Sequence, residues 1–193
     1  MLCADKIIAL YCLVDDLLKG IGHKEDGRRR MSDSEVITTA IVSALYFGGH
    51  LDKSRQMLQM TGLVPSMLDK SRFCRRLHAL NDLLWCLFFQ VGQHLKDLAG
   101  ASDYVVDSFA VAVCDNIRLS RCKMLKGKQG RGKQCSMRRY FYGVKVQVLT
   151  TSSGIAVEFC FVPGSESDVQ ALKKLPMSVA AESNIYVLTR TIG

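Results

Sequence analysis

The hydrophobic period of this chain changes near residue 101. Before that point apolar residues recur at helical spacing, and after it they alternate or cluster in short β-branched and aromatic runs. A chain written this way has to form a helical unit followed by a sheet-based one. The expectation is therefore an α+β protein, helical over 1–100 and with a sheet over 101–193.

In the first half, residues 5–18 carry the stripe Ile7, Leu10, Tyr11, Val14 and Leu17 or Leu18. A linker with the run Arg28, Arg29 and Arg30 follows, read most simply as a solvated or phosphate-facing loop. Ser32 with Glu35 three residues on is a capping box, and Gly48-Gly49 closes the helix it starts. Residues 52–60 and 66–80 predict two short helices across a tight connection, an arrangement resembling a helix-turn-helix. On the second, Lys70, Arg72, Arg75 and Arg76 share a polar arc opposite Phe73 and Leu77. Such a helix suits a DNA groove, and it suits equally well the solvated face of a bundle. Residues 81–98 form a long apolar helix with the single tryptophan, ended by Ala99-Gly100.

In the second half, residues 104–113 (YVVDSFAVAV), 140–150 and 155–162 read as strands, the last two as a hairpin through residues 151–154. A helix capped by Ser165, Ser167 or Asp168 and a strand over 184–189 complete the order β-β-β-α-β. Asp107 lies in the middle of the first strand, which reads as buried. A lone buried carboxylate costs several kcal/mol unless it is compensated. Asp107 is thus either an ion-pair or hydrogen-bond partner or a metal ligand.

Net charge is +8, which favours a polyanionic partner, nucleic acid or an acidic membrane surface. No apolar run approaches the roughly 20 residues that cross a bilayer, so no membrane span is expected. The amino terminus lacks the features of a signal peptide, and eight scattered cysteines without a CxxC pair indicate reduced thiols in a cytosol. No His or Cys spacing matches a zinc site. Basic residues concentrate where the first two predicted strands are joined: Arg118, Arg121, Lys123, Lys126, Lys128, Arg131, Lys133, Arg138, Arg139 and Lys145 occur between residues 116 and 157 without one acidic residue. That distribution fits a nucleic-acid surface. Residues 127–133, GKQGRGK, fall short of a P-loop, because Gln134 stands where Ser or Thr is needed and no apolar strand leads in. Tyr140, Phe141 and Tyr142 could stack on RNA, although adjacent strand residues alternate faces and aromatics more often build core.

The segments MSDSEVITTAIVSALYFGG, KSRFCRRLHALNDLL, YVVDSFAVAVCDNIRLSRCK, RRYFYGVKVQVLTTSSGIAVEFCFVPGS and SDVQALKKLP resemble DDE transposases of bacterial insertion sequences, of the nine-eighty-two type, over residues 31–186. The resemblance implies a ribonuclease-H-like catalytic domain in which three carboxylates hold two divalent ions, Mg2+ or Mn2+. It implies DNA, specifically insertion-sequence ends, as the partner, and a bacterial cytoplasmic protein that joins the nucleoid when bound. Asp107 matches the first catalytic aspartate and metal ligand. The family's strand four runs into a Gly-Asp-x-Gly-Tyr-like segment, whereas here Tyr186 is followed by VLTRTIG. The second aspartate and the glutamate are therefore not found, and the expectation is a catalytically incomplete, C-terminally truncated domain, inactive alone. Asp115 is about 26 Å from Asp107 along an extended strand and so cannot share its metals; Glu158, whose strand face the sequence leaves open, and Asp168, better read as a helix cap, are excluded less firmly. The alternative is a DNA-binding regulator that competes with full-length transposase or enters its oligomer.

Overall fold

The computed structural model describes residues 4–100, 102–114, 122, 125, 127–134, 139–179 and 182–187. The chain divides into two compact units, Met1–Leu87 and Phe88–Gly193, and the division falls inside one helix.

The first unit holds α1 (Ala4–Gly20), α2 (Asp33–Phe47), α3 (Leu51–Met60), α4 (Lys70–Ala79) and the start of α5 (Asn81–Ala99). Its core joins Ile7, Val14 and Leu18 of α1 to Val36, Ile37 and Val42 of α2, Leu58 of α3 and Phe73 of α4. Ile7, Val14 and Leu18 are stripe positions of the sequence, and the cluster forms because each helix has one apolar side to bury. The capping box forms: Glu35 N donates to Ser32 Oγ at 3.0 Å, and Ser32 N donates to Glu35 Oε2 at 2.6 Å. α4 starts later than the expected residue 66. Asp69 takes the N-cap, its carboxylate accepting from Arg72 N at 2.9 Å, while Arg55 Nη2 donates to Leu68 O and holds the preceding turn.

The second unit holds the rest of α5, β1 (Asp103–Cys114), β2 (Arg131–Gln134), β3 (Arg139–Thr151), β4 (Ala156–Pro163), α6 (Asp168–Leu172) and β5 (Asn184–Val187). β3 is central. β1 runs antiparallel on one side of it, β4 and β2 antiparallel on the other, and β5 runs parallel to β1 from Asp103↔Asn184 to Val106↔Val187. The strand β2 adds to the expected β-β-β-α-β order. Its sequence, RGKQ, has no alternating apolar residues, so it joins the sheet through its backbone on β3. Residues 188 and 189, expected to extend β5, lie outside the described residues.

One face of the sheet is covered. Tyr104, Val106 and Leu149 are buried there with Val157 and Leu175, beside Leu172 of α6. The C-terminal part of α5 lies against β4, where Gly92 approaches the Val157 carbonyl so closely that an added Cβ would stand 2.2 Å from its oxygen. The other face carries Asp107, Phe109 and Val111, all exposed. This corrects the expectation of a strand buried along its length: within β1 only Tyr104 and Val106 are buried.

Candidate catalytic face and nucleic-acid interface

Asp107 pairs across the ladder with Val148, and Val148 in turn pairs with Phe159. Its Oδ1 accepts from Ser108 N at 2.7 Å. The carboxylate is exposed, so its charge does not require the compensating partner that a buried position would have demanded. The residue stands next to the last described pair of the parallel strands, Val106↔Val187.

The two alternative acids belong to the opposite face. Glu158 pairs with Leu149, is 1% exposed, and its Oε1 accepts from Ser178 N at 3.0 Å and Ser178 Oγ at 2.5 Å. Asp168, the first residue of α6 behind the Ser167 cap, accepts from Ser108 Oγ at 3.2 Å and from Lys145 Nζ at 3.1 Å. Lys145 also donates to Glu166 O at 2.8 Å. Ser108, Lys145 and Asp168 thus tie α6 to two strands. That tie escapes the sequence, where the three residues are widely separated.

Among the described residues, the other carboxylate on this face of β1 is Asp103, four residues back and about 13 Å along the strand, where it accepts from Asn184 Nδ2 at 2.9 Å, too far to share an ion with Asp107. Among the described residues, the donors beside Asp107 fit one ligand of a divalent ion and do not complete a two-ion site.

A second group of possible ligands sits in the helical unit. One ligand atom each of His23, Glu25 and Asp33 lie within 4.8 Å of one another. Asp33 is fully buried, with Arg29 Nη1 at 2.9 Å from Oδ2 and 3.1 Å from Oδ1, Arg76 Nη2 donating to Oδ1, and His23 Nε2 at 2.9 Å from Oδ2. Two guanidiniums already compensate that carboxylate and would repel a cation. Asp33 is the buried centre of an ionic hub.

The basic residues separate by environment. Arg76 leaves the polar arc expected of it: besides Asp33 it donates to Met31 O at 2.9 Å, a buried partner set that a groove-facing side chain could not keep. Arg29 is likewise spent on Asp33 and not simply solvated. On α4, Lys70 pairs with Asp52 at 2.6 Å and Arg72 with Asp69 at 3.2 Å, while Arg75 is exposed with its Nε bonded to Ser71 O. In the second unit Lys128, Arg131, Lys133 and Arg139 are exposed. Arg118, Arg121, Lys123, Lys126 and Arg138 lie outside the described residues. The glycine-rich run forms a 3-10 turn (Lys128–Gly130) that opens β2, where a P-loop would open a helix.

No helix among the described residues is long and apolar enough to cross a membrane. Residues 100–186 match the family model of the transposase DDE domain, a match that takes in Asp107, β1 to β4 and most of β5. It supports a DDE transposase, a class that depends on divalent metal in general. No curated protein and no solved structure matches the chain.

Proposed function

We propose that this chain is a transposase of a bacterial insertion sequence, of the nine-eighty-two type, whose residues 1–193 provide a DNA-holding surface and the first carboxylate of a ribonuclease-H-like site for Mg2+ or Mn2+. One observation carries the reading. Asp107 stands exposed on β1, beside the point where β5 runs parallel to β1, within the segment that matches the DDE domain. The strand order, three antiparallel strands in β4, β3 and β1 followed by a parallel β5, supports the ribonuclease-H-like assignment.

The same face favours a second reading. With no described carboxylate close enough to share an ion with Asp107, the chain binds insertion-sequence ends without cutting them, and acts as a regulator of a full-length transposase or within a mixed or homo-oligomer. Its place is then the bacterial cytoplasm, on the nucleoid. Two measurements separate the readings. Purified chain with Mn2+ or Mg2+ is incubated with labelled insertion-sequence ends, and transposition of an intact element is counted with and without co-expression of the chain. The regulator reading expects no nicking and lowered transposition. Nicking that disappears in Asp107→Asn supports an active enzyme and overturns the single-ligand account. In either case, duplex binding through about six phosphates should weaken roughly a thousandfold between about 50 and 200 mM salt.

A further inference from the structure

The fold treats the three consecutive aromatics of β3 unequally. Phe141 is 7% exposed and Tyr142 is 2% exposed, its hydroxyl donating to Leu125 O at 3.1 Å and Gly127 O at 3.0 Å. Tyr140 is 64% exposed. Directly across the β2–β3 ladder stands Lys133, with Nζ 5.7 Å from the Tyr140 ring centroid. Arg131, two residues earlier on β2, presents its exposed side chain on the same side. Tyr140 and Val148 share one face of β3, and Val148 is the ladder partner of Asp107. The aromatic and basic group therefore lies on the Asp107 face, about 26 Å along β3 from that carboxylate.

We propose that Tyr140 is a stacking platform for an unpaired base of a DNA strand, whose phosphates meet Lys133 and Arg131. A flat, exposed ring is worth most against the face of a base, and only an unpaired base offers one; a duplex presents edges and phosphates. The cations beside it supply charge complementarity to the strand, in a stretch from residue 116 to 157 that holds no acidic residue to oppose it. Lysine on an edge strand also guards against sheet-to-sheet pairing, so the test has to read stacking itself. The inference rests on the DNA-handling reading above and adds the kind of strand that is held.

The experiment is fluorescence anisotropy with the full chain at fixed salt, using a labelled oligonucleotide as a single strand, as the same sequence in duplex, and as the matching RNA strand. Tyr140→Leu should weaken single-strand binding roughly five- to hundredfold and leave duplex binding unchanged, and Tyr140→Trp should retain it. Lys133→Gln should lower the salt slope on the single strand by about one. An unchanged single-strand affinity in Tyr140→Leu, or equal losses on single strand and duplex, overturns the proposal. Tighter binding of RNA than of DNA overturns the assignment to DNA. Wild-type chain that binds no form of DNA defeats the DNA-handling reading itself, whereas duplex binding with no Tyr140-dependent effect on the single strand defeats this inference alone.

Discussion

Asp107 and Glu158 stand on opposite faces of one sheet, the first exposed and paired with Val148, the second buried and paired with Leu149. Successive strand residues point to opposite sides, so the two cannot hold one ion between them. Glu158 instead fixes the chain at Ser178, with Lys96 Nζ 3.9 Å away. Glu158→Ala should therefore lower stability by about 1–3 kcal/mol. Asp107→Asn, at a solvated site, should change it by no more than about 0.5 kcal/mol. Urea unfolding of both variants checks the assignment, and a larger loss in Asp107→Asn would contradict it.

Neighbouring arginines on α4 should give opposite phenotypes. Arg75 is exposed, so Arg75→Ala should leave the melting temperature alone and, if α4 meets DNA, reduce the salt slope of binding by about one. Arg76→Ala strips a buried carboxylate of one of its guanidiniums and should cost about 3 kcal/mol. Thermal melts and binding titrations on the two proteins decide this. Equal melting temperatures would mean that the Arg76–Asp33 bond contributes nothing.

Elements set by local chemistry were legible in the sequence. The Ser32–Glu35 box, the stripe of α1 and the 151–154 turn each depend on residues close in the chain, and each forms where the spacing places it. What was not legible depends on distant pairing. Arg76 reads as a surface cation until Asp33, far off in sequence, is placed beside it. β2 has no apolar code because its partner β3 supplies the hydrogen bonds. Asp107 reads as buried because β-branched neighbours surround it, but burial of a strand needs a covering layer, and the sequence of β1 does not contain one.

The approach of α5 to β4 sets up a contest between two effects at Gly92. Alanine is favoured over glycine within a helix by about 1 kcal/mol. Here its Cβ would stand 2.2 Å from the Val157 carbonyl oxygen, a backbone atom that cannot turn aside. The clash should win, and Gly92→Ala should destabilise the second unit by about 1–3 kcal/mol. Thermal unfolding gives the sign directly. A stabilised variant would show that α5 does not sit this close to the strand.

Acid should act on the helical unit through Asp33. Burial pushes this carboxyl up, but hydrogen bonds from His23 and Arg76 and the charges of Arg76 and Arg29 outweigh that and hold it below the ordinary range. A carboxyl lowered in the folded state contributes stability that is fully present above its unfolded pKa of about 4 and is lost as pH falls through the folded value. Asp15, Asp52 and Asp69 are lowered too, through Lys19, Lys70 and the Arg72 backbone N–H, and act in the same direction. Their pairs are more exposed and should contribute less. Asp33→Asn should thus be clearly less stable than the parent near neutral pH, and the gap should close as the parent loses its own ionised carboxylate below about pH 4. Unfolding midpoints of the two proteins across this range test the point. A gap that stays constant into strong acid would mean that the Asp33 charge does not stabilise the fold, and that its buried partners are held by packing alone.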